Sequence, residues 1–285
     1  MITYSDDCLT AVIILNSIDT SHLLELVNNY YRLNQKTTPL KKLYEELEKA
    51  IPAHLIAFTE IDKPEFYRVR KSIEPFKEYK EFWAPPKNIA TLGRLNKANE
   101  SMFYISLDPV TPIHEAKILK GECFTLMFYS YKTNKKINAL MIDGIPYYLD
   151  EELKKIGLSK IGYNNYRIIY NLIRNEFVKD VGIGNEYLYN FTNLIKDIFD
   201  AEKSIEGFIY SSIRNYQHKN CALKPSISQE LLECTGCIYG RLIDFSNSGE
   251  TAIIEPFKKS ISKIRENQNM EYELLINGKI KLKMN

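Results

Sequence analysis

Hydrophobic positions in the first part of the chain recur at helical spacing. After the polar segment 19–21, apolar side chains follow three and four positions apart, at Leu23, Leu24, Val27, Tyr30 and Tyr31. A second run with four-residue intervals extends over residues 40–51 and stops at Pro52. This pattern predicts a small helical N-terminal unit over residues 1–61, which packs on the rest of the chain or binds a partner.

From residue 62 onward, strand-like segments are interleaved with helical ones. Short runs of apolar, aromatic and β-branched residues predict strands at five places, namely 66–70, 102–107, 124–129, 139–142 and 208–210. Thr111-Pro112 predicts the N-cap and first turn of a helix that runs through Glu115 to Leu119, and residues 151–201 are again helical. This mixed order of strands and helices indicates an α+β fold.

The C-terminal part of the chain alternates in two short runs. Residues 272–276 and 279–282 flank Asn277-Gly278, a favoured two-residue hairpin turn. We therefore expect a β-hairpin within residues 246–285 that completes the fold of a central domain spanning residues 62–245.

Composition and charge restrict the class of protein. The chain of 285 residues is 45% hydrophobic and 26% charged, and its 38 basic and 36 acidic residues leave a net charge of +2. So balanced a charge gives no reason to expect nucleic-acid binding. No apolar run approaches the roughly 20 residues that cross a bilayer, and the N-terminus has no signal-peptide pattern. We expect a cytoplasmic protein without membrane contact.

The five cysteines do not form a recognisable framework. They are odd in number and scattered, which suits a reducing compartment. Cys234 and Cys237 form a C-x-x-C pair, but no second pair completes a zinc site. We predict two ordinary thiols and no bound metal.

Polar residues occur in four short segments that a sheet edge could bring together. The first is Tyr67-Arg68, and the second is the loop Gly93-Arg94-Leu95-Asn96. The others are Tyr104 with Glu115, and Tyr210-Ser211-Ser212 with Asn220.

In their order and spacing these segments resemble the RES domain family, named for its arginine, glutamate and serine, whose members are NAD⁺-degrading toxins of bacterial toxin–antitoxin systems. In that family a G-R-x-N loop is followed by a tyrosine on the next strand, a glutamate in the next helix, a Y-P-S segment and an N-x-x-L stretch. The matching residues here are Gly93-Arg94-Leu95-Asn96, Tyr104, Glu115, Tyr210-Ser211-Ser212 and 220–223, with Arg68 matching a further arginine. Ser211 replaces the motif proline, and the place in the motif favours Ser212 as the functional serine.

The resemblance implies a fold and an activity. The fold would be a split, mostly antiparallel sheet like that of the ADP-ribosyltransferases, with flanking helices. The activity would be cleavage of the nicotinamide–ribose bond of NAD⁺, with phosphate as a possible co-substrate, no other cofactor, and a cognate antitoxin as partner. The implied catalytic residues are Arg94, Tyr104 and Glu115, and the implied NAD⁺ contacts are Arg68, Asn96, Ser212 and Asn220.

These residue types suit the chemistry. A guanidinium binds phosphate oxygens with two parallel hydrogen bonds, which fits Arg68 and Arg94. Loss of nicotinamide develops positive charge on the ribose, which a carboxylate such as Glu115 stabilises. In a first helical turn the helix dipole would favour the ionised form of Glu115. Tyr104 could stack on nicotinamide, and Ser212 could hydrogen-bond the ligand.

The sequence leaves other functions open. His114 and His218 lie near motif residues in the sequence. The sequence does not identify a general base together with a second residue that orients it, so we do not expect Ser212 to be a nucleophile. Water, phosphate or a macromolecule could accept the ADP-ribosyl group, and the last would make the chain an ADP-ribosyltransferase. A catalytically silent binding module is the third possibility, because each candidate residue also has an ordinary structural interpretation.

Overall fold

The computed structural model describes residues 6–33, 41–50, 57–142, 155, 157–182, 184–200, 205–213, 218–266, 270–275 and 278–284. The chain forms two compact units. The first unit contains residues 1–58, 91–98 and 140–205, and the second contains 59–90, 99–139 and 206–285. The divisions at residues 61 and 245 expected from the sequence stay predictions.

Seven α-helices occur within the described residues. They are α1 Asp6–Ser17, α2 Thr20–Arg32, α3 Lys41–Ala50, α4 Thr111–Glu115, α5 Lys160–Phe177, α6 Tyr189–Asp200 and α7 Pro225–Leu231. The described strands are β1 Ala57–Glu60, β2 Phe66–Lys71, β3 Phe103–Ser106, β4 Cys123–Tyr131, β5 Asn138–Met141, β6 Gly207–Ser211, β7 Lys219–Leu223, β8 Leu232–Phe245, β9 Thr251–Ser260, β10 Glu273–Leu274 and β11 Ile280–Lys283.

The first unit is built from helices that pack on α5. Asp19 caps α2 by accepting hydrogen bonds from the backbone N–H groups of Ser21 and His22 at 2.7 and 3.1 Å. The buried side chain of Asn165 on α5 donates to the carbonyl oxygens of Leu15 and Ile18, both at 2.9 Å, and so satisfies the end of α1. The two helices predicted in this part of the chain are present as α2 and α3, whereas residues 57–60 form strand β1.

One large sheet contains the described strands. Their order is β1-β5-β6-β7-β3-β2-β4-β8-β9-β10, with β11 also on β9, and the pairings whose register is known are antiparallel. The strands predicted at the five sequence positions are all present. The fold is thus α+β with a large, mostly antiparallel sheet.

The two faces of this sheet differ in what covers them. Tyr67 pairs with Ser106, and Ser106 pairs with Asn220, so these three residues lie on one face. Helix α4 packs on that face through Val110 and Ile113, and we call it the α4 face. The opposite face carries the larger apolar cluster, which includes Phe66, Trp83, Phe103, Met127, Tyr129 and Cys221, and we call it the Phe103 face.

The C-terminal strands differ from the predicted hairpin. Residues 276 and 277 lie outside the described residues, so the Asn277-Gly278 turn itself is not described. Both flanking strands pair antiparallel with β9, where Glu273 lies opposite Lys259 and Ile280 opposite Ile254. Because β8 occupies the other edge of β9, β10 and β11 share the free edge as one interrupted strand instead of pairing with each other.

Candidate functional site

Glu115 is placed on the α4 face by a short, tightly capped helix. The carboxylate of Asp108 accepts hydrogen bonds from the backbone N–H groups of Val110 and Thr111 at 3.0 and 2.8 Å, and from the Thr111 hydroxyl at 2.6 Å. Helix α4 then ends at Glu115, because Lys117 turns into the left-handed region with φ 51°.

This boundary corrects the position expected for Glu115. The sequence predicted a helix through Leu119 with Glu115 in its first turn, whereas Glu115 is the last residue of five. The favourable field of a helix N-terminus therefore does not act on its carboxylate. What surrounds that carboxylate is set by strands β6 and β7 instead.

Two side chains bind the same oxygen of Glu115. Ser212 donates its hydroxyl to Oε1 at 3.0 Å, and Asn220 donates its side-chain N–H to the same atom at 2.8 Å. The Ser106 hydroxyl donates to Oδ1 of Asn220 at 2.6 Å, which turns the amide so that its nitrogen faces Glu115. Oε2 of Glu115 forms no hydrogen bond to the described residues.

Strand register explains why these residues meet. Tyr210 pairs with Asn220, and Ser212 continues the same side of β6 two residues later. The backbone N–H of Ser212 donates to the His218 carbonyl at 2.8 Å, which extends the pairing beyond the last ladder residues. Ser106, Ser212 and Asn220 are almost fully buried, with at most 3% of each exposed.

Asp108 also binds a histidine that the sequence did not link to it. Nδ1 of His218 lies 3.2 Å from Oδ2 of Asp108, and the two side chains are 12% and 2% exposed. The pair was missed because the two residues are far apart in the chain, and Asp108-Pro109 indicates no more than a turn. His114, the other histidine near the motif, bonds through Nε2 to the Gly249 carbonyl at 2.9 Å and stacks on Phe245.

Tyr104 lies on the α4 face by strand alternation. It precedes Ser106 by two residues on β3 and pairs with Ala222 on β7, so its side chain points to the face that carries Asn220. The ring is half-buried. Tyr104, Glu115, Ser212 and Asn220 therefore share one face of the second unit.

Arg68 is not part of this cluster. It alternates with Tyr67 on β2, so its side chain lies on the Phe103 face, with its guanidinium carbon 5.1 Å from the centre of the Phe103 ring. Nη1 donates to the Tyr104 carbonyl at 2.8 Å, while Nε is buried without a partner among the described residues. Burial lowers the pKa of the Arg68 guanidinium to about 10, so it remains charged at neutral pH.

Arg94 and Asn96 belong to the first unit. Arg94 is 7% exposed, and its guanidinium donates to three carbonyls at the end of α5, those of Glu176, Phe177 and Lys179. Asn96 is buried and donates to the Thr91 and Lys97 carbonyls within its own loop. Both side chains thus support local structure, and their NAD⁺ contacts stay predictions.

The C-x-x-C pair is buried in the Phe103 face. Burial raises the pKa of the Cys234 thiol to about 12 and that of Cys237 to about 11, which disfavours the thiolate that binds metals. Among the described residues, no group of three or more His, Cys, Asp or Glu side chains is placed to hold a metal ion.

No protein-family model matches the chain, and no curated protein matches it. Within the described part of the chain, no helix alone is long and apolar enough to cross a membrane, although Thr10–Ser17 and Thr20–Arg32 pass by length and composition as a pair bent by 90°.

Proposed function

We propose that the chain binds NAD⁺ and cleaves its nicotinamide–ribose bond at the α4 face. The observation that supports this most is the carboxylate of Glu115, held on one oxygen by Ser212 and Asn220 while the other oxygen forms no hydrogen bond to the described residues. An oriented carboxylate of this kind suits a reaction in which positive charge develops on a sugar carbon.

In the proposed reaction, the bond between the ribose C1′ and the nicotinamide nitrogen breaks, and its electron pair leaves with the nicotinamide. Nicotinamide departs neutral from a cationic precursor, so no general acid is required. The Glu115 carboxylate faces the positive charge that forms on the ribose. Ser212 and Asn220 fix the carboxylate in place beforehand, so that it does not reorganise during the reaction.

The remaining candidate residues have supporting parts in the proposal. Tyr104 shares the face of Glu115 and could stack on nicotinamide or bond the ribose. Arg68 lies on the opposite face of the sheet, so its part is to support strand β3 through the Tyr104 carbonyl and not to contact a ligand on the α4 face. The NAD⁺ contacts expected for Arg94 and Asn96 stay predictions. For Arg94 this role requires that the guanidinium exchange its α5 carbonyls for phosphate oxygens.

The RES resemblance carries the wider parts of the proposal. They are an ADP-ribosyltransferase-like arrangement of the sheet, growth arrest through NAD⁺ loss in the cytoplasm, and restraint by a cognate antitoxin that covers the NAD⁺ pocket. Transfer to a macromolecule instead of water or phosphate stays the alternative, since it shares the first half of the mechanism.

The test is incubation of the purified full chain with NAD⁺, with and without phosphate, followed by identification of the products. We expect free nicotinamide together with ADP-ribose, or with ADP-ribose phosphate when phosphate is present. ADP-ribosylated protein or nucleic acid without free ADP-ribose would favour the transferase. Unchanged NAD⁺ under both conditions with folded protein would contradict the proposal.

A further inference from the structure

Asp108 is buried and contacts the partly buried His218, whose carbonyl accepts from the Ser212 backbone N–H. Oδ1 of Asp108 accepts two backbone N–H groups, and Oδ2 accepts the Thr111 hydroxyl at 2.6 Å and lies 3.2 Å from Nδ1 of His218. These three hydrogen bonds fix the Asp108 carboxylate, so its Oδ2 offers a fixed acceptor to Nδ1 of the imidazole. This contact favours the proton on Nδ1, which leaves Nε2 as the ring nitrogen that accepts a proton.

The pair lies on the face of the proposed reaction. Ser211 pairs with Lys219, and the Ser212 N–H donates to the His218 carbonyl, so Ser212 and His218 are direct cross-strand neighbours. Side chains of such neighbours leave the same face with Cβ atoms about 5 Å apart. Asn220 and His218, two residues apart on one strand, also share that face. Nε2 of His218 forms no hydrogen bond to the described residues.

We propose that His218 is the general base that takes a proton from the water attacking the ribose. The assignment rests on the proposed NAD⁺ cleavage. It adds the residue that determines whether water or phosphate receives the ADP-ribosyl group. As the C1′–nicotinamide bond breaks, the water oxygen bonds to C1′ and one water proton moves to Nε2 of His218. The protonated imidazole, stabilised by Asp108, then releases that proton to solvent, and the products are ADP-ribose, nicotinamide and one proton.

This assignment separates the tasks of the two acidic side chains. Glu115 is bound by Ser212 and Asn220 and faces the ribose, whereas Asp108 contacts no reacting atom and is a positioning residue for His218 and for the start of α4. Hydrogen phosphate already carries an anionic oxygen and needs no base. The imidazole therefore favours water as the acceptor of the ADP-ribosyl group. Removal of the imidazole should leave the rate of phosphorolysis unchanged.

The test compares His218→Asn with the wild-type chain in NAD⁺ hydrolysis. The asparagine amide nitrogen stands near the position of Nδ1 and can keep the contact with Asp108, but no atom replaces Nε2. We expect ADP-ribose formation to fall by about a hundredfold. Azide, which attacks without losing a proton, should restore nicotinamide release from the variant and yield ADP-ribosyl azide, while leaving the wild-type rate unchanged.

Two controls separate a chemical role from a structural one. His22→Asn changes an exposed histidine of the first unit and should leave hydrolysis unchanged. Asp108→Asn keeps an oxygen to cap α4 but cannot accept from Nδ1–H, so it should lower hydrolysis and add little to His218→Asn.

The outcomes are distinct. Hydrolysis by folded His218→Asn at the wild-type rate, or a loss that azide does not restore, would overturn the assignment while NAD⁺ cleavage stands. A wild-type chain that leaves NAD⁺ intact would overturn both.

Discussion

Asn220 is the residue on which the geometry of the candidate site depends. Its amide oxygen accepts from Ser106 and its amide nitrogen donates to Glu115, so it links β3, β7 and α4 through one side chain that is 3% exposed. Because an amide has distinct donor and acceptor ends, this chain of hydrogen bonds has a fixed direction. Within the described part of the chain, the donors to Glu115 are the neutral side chains of Ser212 and Asn220.

At the residue scale, two adjacent serines provide a matched comparison. Ser212→Ala removes a hydroxyl that donates to Glu115, whereas Ser211→Ala removes one that accepts from Lys219. Both side chains are buried, with 0% and 3% exposed. A hydrogen bond to a charged group contributes about 1.5–3 kcal/mol, so Ser212→Ala should slow nicotinamide release by about tenfold to a hundredfold. Ser211→Ala should stay near the wild-type rate. Equal rates for the two variants would contradict the role of Ser212.

The sequence was sufficient to select Glu115, Ser212 and Asn220, because a motif records residue types at a given spacing. It was not sufficient for Asp108 and His218. Their contact depends on the pairing of Ser212 with His218 beyond the last paired residues of β6 and β7, and on the turn that precedes α4. No short stretch of sequence indicates either feature. Alternation along β2 could have shown that Arg68 and Tyr67 lie on opposite faces, once the face of Ser106 was known.

At the scale of elements, Arg94 joins its loop to the end of α5. Its guanidinium binds three backbone carbonyls there and lies 5.2 Å from the centre of the Tyr189 ring. The carbonyl oxygens at a helix end have no partners within the helix, and a cation is favourable at that end of the dipole. The loop with the resemblance motif is thus also a helix cap.

Arg94→Ala should therefore destabilise the first unit. The variant leaves buried carbonyls without donors, which we expect to lower the free energy of unfolding by about 3 kcal/mol. Urea denaturation followed by far-UV circular dichroism, which is dominated by helices, measures the change. Arg167→Ala, on an exposed position of α5, is the control and should change the stability little. Equal midpoints for the two variants would show that the carbonyl contacts contribute nothing.

Some strands form because of tertiary contacts and are not indicated by their local sequence pattern. Strands β2 to β6 were predicted from apolar runs, but β7, β8 and β9 were not. Strand β8 carries Gly236 and Gly240, where a Cβ atom would lie 2.4 Å from the Ser260 carbonyl oxygen and 2.5 Å from the Glu255 carbonyl oxygen, both on β9. Such glycines weaken a strand pattern in sequence, yet close approach of the two strands requires them.

At the scale of the whole molecule, the sheet separates the α4 face, which carries the candidate site and a smaller apolar cluster, from the Phe103 face with the larger apolar cluster. The thiols of Cys234 and Cys237 lie in the apolar cluster of the Phe103 face, and burial raises their pKa values to about 12 and about 11. An unfolded thiol titrates near pH 8.5. The folded state therefore keeps protons that the unfolded state loses above that pH.

This difference predicts how stability changes with pH. The contribution of the two thiols is fully present below about pH 8 and is lost as the pH rises towards their folded pKa values. Urea denaturation under reducing conditions should show a free energy of unfolding that falls between about pH 8 and pH 10. The double variant Cys234→Ala, Cys237→Ala should show a shallower fall. The same slope in both proteins would contradict the burial effect.

The most direct test of the account is the rate of nicotinamide release from NAD⁺ by the wild-type chain and by Glu115→Gln. The amide keeps the size of the side chain but removes the negative charge that faces the ribose, so we expect a loss of about a hundredfold or more with the fold intact. Glu273→Gln, which changes an exposed carboxylate on β10, should match the wild-type rate. Release of nicotinamide by Glu115→Gln at the wild-type rate would contradict the central claim.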